Sequence, residues 1–214
     1  MFFVAGLSVL AGMTDAIGFL ASGDFVSFMS GNTTRMAVAI SDGNFDLIMR
    51  LALLIATFVL GNALGVMIAR SCRKRAWPLL ALTALLLLAA GVCGKPFELL
   101  AMLAAILAMG MLNAAVEEVN GLPIGLTYVT GALSRFGRGL GRWLMGERRP
   151  GWRMQLVPWS GMLVGAVLGG WLEHHLGFAA LLASSALAAL LGLASMMIPR
   201  RWVQRYMALS LIHI

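Results

Sequence analysis

The chain predicts an all-α membrane protein of six transmembrane helices arranged as an inverted 3+3 repeat, with two broken re-entrant segments. Three observations carry this. Of 214 residues, 60% are hydrophobic and only 12% charged, with a mean hydropathy of +0.89; soluble domains are about half apolar and a quarter charged. Six apolar stretches are long enough to cross hydrocarbon, and the two halves of the chain carry matching polar motifs at matching positions. Composition alone excludes a disordered chain, a collagen, a disulfide scaffold and a soluble enzyme.

The spans come in order at 2–20, 47–69, 77–93, 97–116, 154–172 and 178–198, each near the roughly 20 residues that cover 30 Å of bilayer core. The first lacks the positively charged start of a signal peptide and is expected to be retained. Stretches 24–40 and 121–140 are shorter and more polar, interrupted by Ser30-Gly31-Asn32 and Thr130-Gly131, and make poor spans. Left out of the span count, they put thirteen of the sixteen basic residues on one side. These are Arg70, Arg73, Lys74 and Arg75; Arg135, Arg138, Arg142, Arg148, Arg149 and Arg153; and Arg200, Arg201 and Arg205. That side is cytoplasmic by the positive-inside rule, as are both termini. The net charge of +7 and pI of 10.7 therefore read as orientation, and no nucleic-acid partner is expected. Trp77, Trp143, Trp152, Trp159, Trp171 and Trp202 fall mostly near span ends, as interfacial anchors do.

Repetition organises the chain into 1–96 and 97–214. Ala11-Gly12-Met13-Thr14-Asp15-Ala16 matches Met109-Gly110-Met111-Leu112-Asn113-Ala114; Phe28-Met29-Ser30-Gly31-Asn32-Thr33-Thr34-Arg35 matches Tyr128-Val129-Thr130-Gly131-Ala132-Leu133-Ser134-Arg135; Leu60-Gly61-Asn62-Ala63-Leu64-Gly65 matches Val164-Gly165-Ala166-Val167-Leu168-Gly169. Three spans per repeat is an odd number, so the copies enter the membrane in opposite senses, a common construction of secondary transporters.

Interrupted backbone at membrane depth is tolerated only in protein or beside a wet cavity, so both turns mark a site. Gly31 permits a turn, Ser30 or Asn32 can cap the half-helix after it, and Thr33, Thr34 and the first free N–H groups then face an anion, with Arg35 adding charge. Thr130, Gly131, Ser134 and Arg135 repeat the pattern. Asp15 and Arg35 lie at similar depths, which predicts an ion pair; Asn113 takes the carboxylate's place in the second repeat. Intramembrane ionisable residues are functional candidates by default. The expected solute-contacting set is therefore Asp15, Ser30, Gly31, Asn32, Thr33, Thr34, Arg35, Asn113, Thr130, Gly131, Ser134 and Arg135, with a structural pair as the plainer reading of Asp15 and Arg35.

Gly61/Gly65 and Gly161/Gly165/Gly169 allow close helix packing, within the chain or across a homodimer. The fifteen methionines are adaptable filler. Glu117, Glu118, Glu173, His174 and His175 sit in solvated boundaries. Cys72 and Cys93 flank one span and cannot bridge each other. No metal ligand spacing, nucleophile–base pair or phosphate loop is present, so no cofactor and no enzymatic activity are expected.

The motif pairs, Ala11 to Phe19 leading into Met29 to Arg35 and Gly110 to Ala115 leading into Tyr128 to Gly131, resemble the YoaK-like family of bacterial inner-membrane proteins. The resemblance spans nearly the whole chain. It implies a cytoplasmic-membrane protein of about six spans from a family of unknown function, and departs from this chain at Glu117-Glu118, where basic residues are expected. The expected function is a small secondary transporter or exporter of a small polar or anionic solute, with a channel of fixed constriction or a non-transporting scaffold as alternatives.

Overall fold

The computed structural model describes residues 2–72, 75–120, 129–147 and 151–197, with backbone alone over 114–120. Arg73, Lys74, Tyr128, Arg148, Arg149, Arg200, Arg201, Trp202, Arg205, the C-terminus and the side chains of Glu117 and Glu118 lie outside the described residues.

Each apolar stretch is a helix. In chain order the elements are α1 (Phe2–Ser22), α2 (Met29–Ser41), α3 (Phe45–Ser71), α4 (Trp77–Cys93), α5 (Glu98–Asn120), α6 (Val129–Leu144), α7 (Leu156–Leu176) and α8 (Leu181–Met197). By length and composition Phe2–Ser22, Phe45–Ser71, Lys95–Asn113 and the α7–α8 stretch Trp152–Met197 can cross a bilayer; Trp77–Cys93 is a shorter apolar helix. The boundaries have local causes. Asn44 caps α3 by accepting the Leu47 N–H at 3.1 Å, proline enters the first turn of α4, and Gly23 and Gly43, at φ +77° and +67°, make the left-handed turns that end α1 and α2.

The interruptions are not where the sequence suggests them. α2 runs unbroken through Ser30-Gly31-Asn32 and α6 through Thr130-Gly131. In the first half the non-helical backbone is 23–28, before the helix. Gly31 serves clearance instead of a turn: a Cβ there would lie 2.6 Å from the Phe28 ring and 2.9 Å from the Phe25 ring.

Packing pairs helices from opposite halves. α1 lies along α7, α3 along α5 and α4 along α8, while α2 rests on α3 and α6 on α7. At the first two crossings the backbones touch through glycine. Gly12 meets the Met162 carbonyl, Gly165 the Val9 carbonyl and Gly169 the Met13 carbonyl. At the second crossing, a Cβ on Gly61 would sit 2.6 Å from the Leu107 carbonyl oxygen, and Gly110 meets the Phe58 carbonyl. Side chains at such places are excluded, and the gain is van der Waals contact between bare backbones. The glycine stripes, expected to pack within the chain or across a homodimer, make these close contacts within one chain, Gly65 being buried as well. The core joins Leu7, Leu10 and Ile17 of α1 with Leu51 and Leu54 of α3, Leu80 and Leu87 of α4, and Met102 and Ile106 of α5. Outside it, Leu53, Val59 and Leu60 on α3, Leu85, Leu88 and Val92 on α4, Leu163, Val164, Val167 and Leu168 on α7, and Leu190 and Leu193 on α8 stand exposed. A belt this continuous needs lipid.

Candidate functional site

The residues expected to carry chemistry gather first around the loop at 23–28. Asp15, buried in α1, accepts hydrogen bonds from the backbone N–H groups of Val26 (2.8 Å), Ser27 (2.7 Å) and Phe28 (3.4 Å), and from the Ser27 hydroxyl. A carboxylate is the one side chain that can take four donors at once, and here it satisfies backbone groups the interrupted chain leaves unpaired. This corrects the expected Asp15–Arg35 ion pair. Asp15 holds the loop through its backbone.

Asn32 completes the hold. Fully buried, it accepts the Phe25 N–H at 3.1 Å and donates to the Phe25 carbonyl at 2.7 Å. It is not a cap: α2 starts after Phe28 with no side-chain cap. Three of the first four N–H groups of α2 are already used, Met29 donating to the Ser27 carbonyl and Gly31 and Asn32 to that of Phe28. Thr33 and Thr34 return their hydroxyls to the Met29 and Ser30 carbonyls one turn back, and Ser30 is exposed. The helix start expected to receive an anion is therefore turned mostly to its own loop.

Arg35 finds a different partner. Asp24, 1% exposed, binds the Arg35 Nη1 with one carboxylate oxygen and the Arg50 Nε (2.6 Å) with the other; Arg50 continues to Glu98 at 3.1 Å. Two cations and two anions thus tie together the 23–28 loop, α2, α3 and the start of α5. Alongside lies an open cavity of about 210 Å³ lined by Thr34, Arg35, Val38, Ala39, Asp42, Asn44 and Leu47. Sequence reading missed Asp24, Arg50 and Glu98. The available signal was Arg50 itself, a charge four residues into an otherwise apolar run.

The second repeat carries a sparser version. Asn113 donates to the Asn62 side chain at 3.4 Å, and Asn62 to the Phe58 carbonyl at 2.9 Å, at the crossing of α3 and α5. Among the described residues the buried Asn113 Oδ1 has no hydrogen-bond partner. Arg135 donates through Nε to the Gln155 side chain at 2.9 Å, and its Nη2 is shielded without a partner among the described residues. Ser134 accepts from Arg138, Thr130 is exposed and Gly131 half-buried. The two motif sets stay on their own helices, α2 against α3 and α6 against α7.

Residues 3–194 match the DUF1275 family. The chain belongs to that family. Its members are described as proteins of unknown function, and this agrees with the resemblance read from the motifs. A UPF0700 transmembrane protein of Rhizobium meliloti (strain 1021) is 53% identical over 203 residues, covering 95% of this chain and 89% of that protein. No solved structure matches. This DUF1275 chain is accordingly a membrane protein of an uncharacterised family.

The geometry around Asp15 sets a testable expectation. Asp15→Asn keeps one acceptor but turns an amide toward donors, and is expected to cost about 1–3 kcal/mol, the usual penalty for a buried donor left unpaired. Because Asp15 and Arg35 do not bind each other, Arg35→Gln should not rescue the loss from Asp15→Asn in thermal melts of purified protein, and since both hold the 23–28 loop the two losses need not be strictly additive. Recovery of stability in the double variant would restore the discarded pair.

Proposed function

We propose that the chain is a small secondary transporter or exporter of a small polar or anionic solute, built from two inverted three-span repeats, 1–96 and 97–214, in the bacterial cytoplasmic membrane with both termini inside. One observation carries the reading: the glycine contacts are exchanged by the internal repeat. Gly12 on the Met162 carbonyl becomes Gly110 on the Phe58 carbonyl, and Gly165 on the Val9 carbonyl becomes Gly61 on the Leu107 carbonyl. In the sequence matches Gly12 stands for Gly110 and Gly61 for Gly165, so each contact has its counterpart between the other two helices. Residues 31–38 and 131–138 also share their exposure, position by position. Repeats related in this way give two arrangements of similar energy facing opposite sides, which is the basis of alternating access.

The two ends are fastened unequally. Charged Asp24, Arg35, Arg50 and Glu98 hold α2, whereas among the described residues α6 is held through the neutral Gln155 side chain on Arg135 and the packing of Trp152 on Phe136 and Trp143. In this reading the α6 end opens the more readily. Of the residues expected to line the path, Asn113 and Arg135 keep unpartnered polar atoms and are assigned to solute contact, with the exposed Ser30, Thr33, Thr34, Thr130 and Ser134 beside it. Asp15, Gly31, Asn32, Arg35 and Gly131 shape the helix starts.

Two measurements test the proposal. Proteoliposomes offered small anions and zwitterions should show saturable, gradient-driven uptake that Asn113→Leu abolishes. Rapid conductance would make the protein a channel, and absence of flux for every class would make it a scaffold. In a variant with Cys72 and Cys93 replaced, a periplasmic thiol reagent should label a cysteine at Asn44 but not one at Gly146. Labelling of both would overturn the inverted topology.

A further inference from the structure

We propose that α6, with the short helical turn Trp152–Gln155 packed on it, is a binding surface for the phosphate groups of anionic phospholipids. At 3.6 residues per turn Leu133, Leu140 and Leu144 fall on one side of α6, and Ser134, Arg138 and Arg142 on the other; all six are exposed. Between these sides runs the edge that meets the protein. There Gly139 leaves room for Trp152, whose ring lies 5.1 Å from that of Phe136 and 6.4 Å from that of Trp143.

Cationic donors crowd this platform, with few side-chain acceptors among the described residues. Arg135, at the edge of this platform, spends Nε on Gln155. Arg138 spends one nitrogen on Ser134, and the exposed Arg153 places its guanidinium 5.3 Å from the centre of the Trp152 ring. Among the described residues from Val129 to Gln155 stand four arginines, Arg135, Arg138, Arg142 and Arg153, and one carboxylate, Glu147. Guanidinium groups match phosphate oxygens in a two-pronged geometry, and tryptophan favours the headgroup level.

A leucine side opposite an arginine side favours a lipid over a free anion, since the leucines need acyl chains while the arginines reach phosphate. The matching helix supplies a contrast. α2 has the same pattern of exposure but a single arginine, already bound to Asp24, with Asp42 close by in the cavity wall. The charged surface is therefore a property of α6 and not of the repeat.

The test uses the full chain in nanodiscs of phosphatidylcholine with and without phosphatidylglycerol, with retained lipid counted by native mass spectrometry. Wild type should retain phosphatidylglycerol preferentially, and Arg138→Gln/Arg142→Gln should weaken that preference roughly thirty-fold, from the usual contribution of each basic residue at an anionic surface. Each single variant should lose part of it, so the outcome is readable if the double variant fails to fold. Arg35→Gln, on the matching helix α2, should leave the lipid preference as in wild type. Equal retention of both lipids by wild type, an undiminished preference in the α6 variants, or displacement of the lipid by inorganic phosphate alone would overturn the proposal. The readout is lipid retention, not flux, so it stands or falls apart from transport.

Discussion

Asp24→Ala is expected to lower stability by about 2–3 kcal/mol, somewhat under the 3–5 found when a fully buried ion pair loses one member. The discount follows from exposure: Asp24 is buried, but the side chains of Arg35 and Arg50 keep 35% and 34% of their surface exposed. Removing the shared carboxylate leaves Arg35 with no ion-pair partner among the described residues, while Arg50 retains Glu98. The loss should therefore exceed that of Glu98→Gln, a partner whose side chain is 38% exposed and expected to matter by less than about 1 kcal/mol. Melting curves of the purified variants check the order. Equal losses for Asp24→Ala and Glu98→Gln would show that the cluster is a surface network with no buried centre.

Gly165→Leu should do more damage. Any Cβ at that position meets the Val9 carbonyl, and backbone cannot move aside as a side-chain tip can. Overpacking a tight interior commonly costs 1–3 kcal/mol; with backbone on both sides, about 3 kcal/mol or more is expected, read as loss of monodisperse protein on extraction. Gly170→Leu is the control on the same helix, since only the Leu20 side chain lies nearby, at 3.6 Å. It should be neutral or slightly stabilising, because leucine is the better helix former. Equal tolerance of both would mean that α1 and α7 are not in contact.

These expectations separate what was readable in the sequence from what was not. The long helices were, because hydropathy over twenty residues is a strong signal; α4 begins and ends where 77–93 is apolar. Asp15 stood out as a carboxylate amid apolar residues, yet its partners did not. Depth counted along helices pairs Asp15 with Arg35, and it cannot show a loop folding inward to present Val26, Ser27 and Phe28 N–H groups to the carboxylate. The same inward fold buries Asp24, which along the sequence looks like a polar residue beyond the end of a span. Gly31 misled for a related reason, since glycine is used both where φ is positive and where a neighbour needs space, and the Phe25 and Phe28 rings enter only in three dimensions. The glycine stripes announced close packing but not which helix would fill them.

That packing joins α1 to α7 and α3 to α5, so each half keeps its tightest neighbours in the other. The arrangement is a domain swap closed within one polypeptide. Two copies of such a half, each lending helices to its companion, would present these same crossings; linked end to end, they turn what would be a subunit interface into the interior of one chain. Neither half is then a self-sufficient fragment. Produced alone, 97–214 would bare Gly161, Gly165 and Gly169 as an open seam, and complementation by 1–96 is the natural way to close it.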